Sequence, residues 1–141
     1  MQTWGVIIDL VLAALFGGTI GFERQRLRQF AGLRTHMLIC LGAALITILS
    51  IEGFSFDASS PARIVANIIV AAGFIGAGTV IAARGEVHGL TTAASIWIAA
   101  AIGMATALHF YVAAAATTII TLGILELWRI EVKFGLKKKG E

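Results

Sequence analysis

The chain has 141 residues, of which 58% are hydrophobic and only 13% charged, with a formal net charge of +3 and a mean hydropathy of +0.90. A soluble domain carries about 25% charged residues, so this chain has too few ionisable groups to keep a surface of its size in water. The length allows one domain, and the placement of the basic residues, more than their sum, argues against nucleic acid as a partner.

The first apolar run, Trp4 to Phe22, is interrupted only by Asp9 and approaches the ~20 residues that a bilayer crossing needs. "MQTWGVIIDLVLAALFGGTIGF" lacks a basic n-region and its positive charges follow the apolar run, so it reads as a retained span and not a signal peptide. "GFERQRLRQFAGLRTHML" then gathers Arg24, Arg26, Arg28 and Arg34 around Glu23. His36 to Ile51 is a short second span that Thr35 and a snorkelling Arg34 can complete. It contains the one cysteine, Cys40, so no intramolecular disulfide can form.

The loop "EGFSFDASSPAR" carries Glu52 and Asp57, has Arg63 at its far end, and offers Pro61 as a helix start. Ile64 to Ala83 and Leu90 to Leu108 are uncharged third and fourth spans, separated by "RGEVHG" with Arg84. A tight turn near His109 leads to the fifth, Phe110 to Leu125. The expected architecture is an all-α membrane protein. It is a bundle of five transmembrane helices over residues 1–128, with a basic cytoplasmic tail over 129–141.

Five alternating spans put the first loop, the third loop and the tail on one side, which collects every Lys and Arg except Arg63. The positive-inside rule makes that side cytoplasmic, with the N-terminus outside. The arginine cluster thus reads as a topology determinant and an anchor for anionic headgroups. "GLRTHML" and "GLTTAAS" share G-L-x-T at an offset that also places Gly21 on Gly78. This is a faint sign of a duplicated helical hairpin, for which chance is the larger prior.

Small residues let membrane helices approach closely. Gly17 and Gly21 form a GxxxG pair, and Gly73, Gly76 and Gly78 are expected together on one helix. Intramolecular packing is the simpler reading and a homodimer face the alternative. No Gly-Lys-Ser/Thr follows, so these glycines are not a phosphate loop.

Polar groups inside spans carry more information. Asp9 lies ~8 Å along its helix from Trp4, and Asn67 lies four residues past Arg63, at similar depth in the outer leaflet. An intramembrane carboxylate is costly and normally faces protein or water. Asp9, Arg63 and Asn67 are therefore a candidate polar cavity or ion site; a simple pairing of Asp9 with Arg63, or its protonation, is the plainer account. Glu23, Arg24, Arg34, Thr35, Arg84, Glu86, Thr91 and Thr92 fall together at the inner interface. There Thr91 or Thr92 could cap the fourth helix and Thr35 the second. Two helix N-termini beside arginines would suit an anion or a paired carboxylate.

His36, His88 and His109 are scattered, and neither a zinc spacing nor a catalytic triad emerges. Trp4, Phe22, Trp97, Tyr111 and Trp128 mostly sit near span ends, as in aromatic belts. The residues thus suggest neither an enzyme nor a cofactor.

"IGFERQRLRQFAGLRTHMLICLGA", and "GFIGAGTVI" followed by "VHGLTTAASIWIAAAIGMA", resemble the two signatures of the MgtC/SapB family of bacterial inner-membrane proteins. The resemblance runs from the first span to the fourth. It implies a five-span domain associated with growth under magnesium limitation and, in pathogens, with survival in macrophages. It falls on Glu23 and Arg24, Gly32 to Thr35, Arg63, Gly73 to Gly78, and Gly89 to Ala94 with Trp97. Asn67 stands where relatives often have Gln, and Ile75 where Leu is usual. Many relatives add an ACT-like domain after the last span, whereas this sequence ends in "KKKGE" and looks like the short type.

Two mechanisms follow from the resemblance. One is transport of Mg²⁺ or another ion, for which a homodimer would supply two Asp9 carboxylates. The other is a non-transporting regulator bound to another membrane complex, such as the F-type ATP synthase. Mg²⁺ would be a substrate or signal in either case, not a resident cofactor.

Overall fold

In a computed structural model, residues 3–53, 60–83 and 86–134 are described. They form five helices: α1 (Thr3–Arg26), α2 (Leu33–Gly53), α3 (Ser60–Ala77), α4 (Leu90–Ala107) and α5 (Tyr111–Lys133). Of these, α1, α2, α4 and α5 are long and apolar enough to cross a membrane, while the apolar stretch of α3, Ala62–Ala77, is shorter. α5 runs on through Trp128 to Lys133, so the expected tail begins as helix. The predicted Asp57 loop, Arg84 and the Lys137–Lys139 run lie outside the described residues.

The all-α expectation needs one amendment. The apolar run expected to continue as helix to Ala83 leaves it at Ala77, where strand β1 (Ile81–Ala83) soon follows and pairs antiparallel with β2 (Glu86–His88). Glycines at 76 and 78 weaken the helix. Thr79 then closes the end by donating its backbone N–H (2.9 Å) and its hydroxyl (2.7 Å) to the Gly76 carbonyl. Gly78 therefore lies in the turn beyond the helix that holds Gly73 and Gly76. Gly89 completes the return with φ at +88°, and any Cβ there would collide with the Thr79 carbonyl. Both constraints require glycine.

α2 and α4 form the middle of the bundle. α1 packs on both, α3 lies against them as well, and α5 leans on α4 and α1. The contacts are made by small residues. A Cβ on Gly17 would sit 2.5 Å from the His36 carbonyl oxygen and 2.7 Å from the Cys40 Cβ, and one on Gly21 would sit 2.7 Å from the Leu33 Cα. Gly103 of α4 lies as closely against the Cys40 carbonyl, and Gly76 of α3 less closely against Ala93, at 3.1 Å from its carbonyl oxygen to the position of a Cβ. Ala13, Ile20, Cys40, Ala44 and Ile102 fill the seam. By contrast, Gly73 has open space around its Cα.

The distribution of polarity is inverted. Val112, Phe74 and Trp4 are 85%, 82% and 75% exposed, whereas Asp9, His36, Thr47, Ser50, Thr92 and Thr106 are fully buried. Water would penalise this arrangement, but hydrocarbon favours it, because polar groups without water must find partners inside the protein.

Candidate functional site

Buried polar groups gather at the two ends of the bundle. At one end, Asp9 in the second turn of α1 points at the α4–α5 turn. Its Oδ1 accepts a hydrogen bond of 2.7 Å from the Tyr111 hydroxyl, and its Oδ2 lies 3.2 Å from His109 Nε2. The turn is built to present that ring. Phe110 N–H donates to the Ala105 carbonyl and His109 N–H to that of Thr106, a Schellman closure of α4 with His109 in the left-handed position, φ 61°. Glycine is the usual occupant. A histidine there accepts about 1 kcal/mol of backbone strain, and here its side chain reaches Asp9. His109 also lines a cavity of about 210 Å³ together with Ile48, Ile51, Glu52, Ala107 and Leu108, so the buried carboxylate lies behind a half-exposed imidazole.

The grouping expected from depth alone is therefore not the one formed. Asp9 joins His109 and Tyr111, while Arg63 and Asn67 are exposed on α3, which packs on α2 and α4. The signal for the partnership was present, since the turn with His109 and the first residue of α5, Tyr111, fall at the same end as Asp9. Sequence shows depth but not which helices are neighbours.

At the other end, Glu23 and Arg24 are buried as a bidentate pair, with Nε to Oε2 at 2.6 Å and Nη2 to Oε1 at 3.0 Å. Successive residues of one helix point about 100° apart, so both side chains must bend towards each other to pair. Nearby on α2, His36 Nδ1 donates to the Gly32 carbonyl (3.0 Å) and Nε2 meets Ser95 Oγ of α4 (2.9 Å). Ser95 Oγ is also 2.8 Å from the Thr92 carbonyl. The hydroxyl has one proton to give. Donation to Nε2 leaves a neutral His36, and donation to Thr92 requires Nε2 to carry its own proton.

The expected caps are replaced. Gly89 is the N-cap of α4, without a side-chain bond, and Thr91 and Thr92 fall inside its first turn. The Thr92 hydroxyl is buried without a hydrogen-bond partner. α2 begins at Leu33, two residues before Thr35, and the Leu33 N–H is satisfied by Gln25 Oε1 reaching over from α1 (3.2 Å). Arg34 is exposed and, with Gln25 and Thr35, lines a shallow polar depression. Glu86 opens β2, and Arg84 is outside the described residues. Among the described residues, no three His, Cys, Asp or Glu side chains cluster as metal ligands would.

Long apolar helices with inward polar groups and an outward apolar surface define a multi-pass membrane protein. The chain belongs to the MgtC family, whose model matches residues 10–133. It is similar to YhiD of Escherichia coli K12, named as a candidate magnesium transporter, with 42% identity over 94% of this chain and 64% of that protein. It also resembles protein MgtC of Salmonella typhimurium LT2, at 41% identity over 86% of this chain and 52% of that one. The corresponding Brucella abortus protein is 41% identical over 83% and 48%. The chain thus spans about half to two thirds of the length of these curated relatives. No solved structure gives a significant match.

Proposed function

We propose that this protein serves magnesium homeostasis in the bacterial inner membrane by moving Mg²⁺ or a similar cation, and that Asp9 is the residue through which it acts on the ion. Its relatives include a candidate magnesium transporter. The observation that carries the reading is the fully buried Asp9 carboxylate, set in a membrane helix and bonded to His109, whose ring also lines a cavity. Mg²⁺ keeps several waters and is usually held by one or two carboxylates, and Asp9 supplies one. In this reading α3 also crosses the bilayer, giving five spans with the N-terminus outside and the C-terminus cytoplasmic. The one-sided Lys and Arg distribution supports that orientation. Purified protein in liposomes should pass Mg²⁺ faster than empty vesicles, and Asp9→Asn should abolish the difference. Wild-type flux equal to that of empty vesicles would refute transport.

A second reading, a non-transporting regulator bound to another membrane complex such as the F-type ATP synthase, is favoured by the seam. Gly17, Cys40 and Gly103 close the bundle between its two polar ends. A regulator would show no flux, would co-purify with its membrane complex, and would do so equally well as Asp9→Asn.

A further inference from the structure

α3 buries one side and exposes the other. Ile68, Ala72 and Gly76 face the bundle. On the opposite side Arg63, Asn67, Val70 and Phe74 follow at steps of four, three and four, with Val70 70% and Phe74 82% exposed. That spacing is the seam of a helix that packs lengthwise against another helix. Asn67 is the exceptional member. It sits ~10 Å into the helix from Ser60 at 1.5 Å per residue, is exposed, and has no hydrogen bond among the described residues. α5 offers the comparison: its outward Val112, Ile119, Ile120 and Ile124 are purely apolar, as lipid contact requires. An amide in that setting has neither water nor protein to bond, which hydrocarbon penalises heavily.

We infer that the Asn67 row of α3 is the contact face for a second copy of this chain. The inference rests on α3 crossing the bilayer, as proposed above. Copies inserted with one orientation lie parallel, so a twofold axis along the membrane normal brings Asn67 opposite its own equivalent. A carboxamide carries both donor and acceptor and is complementary to itself, and such bonds are a recognised source of helix association in lipid. A single interior Asn also fixes the register of a paired seam. Gly73, beside the row and with open space around it, lets the backbones approach. The two Arg63 side chains meet at the aqueous end, where salt screens them, so association strengthens with ionic strength.

The test is self-association in liposomes, read by energy transfer between labelled copies as lipid dilutes the protein. Asn67→Val should shift the dimer midpoint about tenfold towards higher protein density, the range of one interhelical amide bond, and Asn67→Gln should restore most of it. Oxidation of Asn67→Cys should give a covalent dimer, while Ile119→Cys on α5 stays monomeric and the buried Cys40 stays silent. An unchanged midpoint in Asn67→Val, or an Asn67→Cys protein that stays monomeric or links to a different polypeptide, overturns the inference. Reaction of Asn67→Cys with a membrane-impermeant maleimide overturns instead the bilayer crossing on which it rests.

Discussion

Replacing Gly17 with alanine should weaken the bundle by an amount the structure allows to be worked out. The new methyl would lie 2.5 Å from the His36 carbonyl oxygen and 2.7 Å from the Cys40 Cβ, where ordinary contact begins at 3.4 Å. α1 must therefore withdraw from α2 by 0.7–0.9 Å at this point, the differences between those distances. A gap of ~0.5–1 Å forfeits a quarter to a half of the dispersion energy of each contact it opens. The obstacles are a backbone carbonyl and a Cβ, neither of which can swing aside, so the upper part of the usual overpacking cost applies, about 2–3 kcal/mol. Better helix propensity returns up to about 1 kcal/mol, leaving a net loss of about 1–2 kcal/mol. Gly123→Ala on α5 meets nothing within 4 Å and keeps only the propensity gain. The two variants should therefore differ by about 2–3 kcal/mol. Reversible unfolding in mixed micelles of rising dodecyl sulfate fraction, followed by circular dichroism, measures this. If Gly17→Ala resisted the detergent as well as Gly123→Ala, the close-packed seam would be refuted.

Thr92→Val removes a buried hydroxyl that has no partner, so the same unfolding assay should show it neutral or up to about 1 kcal/mol more stable. Glu23→Gln leaves the 3%-exposed Arg24 without its anion; a loss of about 3 kcal/mol or more is expected, and a neutral result would mean that water reaches the pair. Tyr111→Phe removes the 2.7 Å donor to Asp9. Because the ring is partly exposed, the loss should be about 1–2 kcal/mol, and it should shrink in an Asp9→Asn background if the two residues act on each other.

Run length and apolarity were enough to place the five helices, four of them long and apolar enough to cross a membrane, because a long apolar segment has little freedom in composition. They failed at Ile81–Ala83, where three apolar residues continue the hydropathy of α3 but pair as a strand. Hydropathy does not distinguish a helix from a strand in so short a stretch. The caps were misplaced because Gly89 and Gln25 act through backbone conformation and a cross-helix bond, neither of which leaves a local threonine signature. Depth along each helix was legible for Asp9, but its neighbours were not. Which helices lie side by side depends on close fits such as Gly17 and Gly103 against α2 and Gly76 against α4, a property of three dimensions.

Cys40 has a mechanical consequence. α1 rests on its side chain through Gly17 and α4 on its carbonyl through Gly103, so one residue of α2 is the bearing for both flanking helices. Parting α1 from α2 or α4 from α2 therefore loosens the same joint.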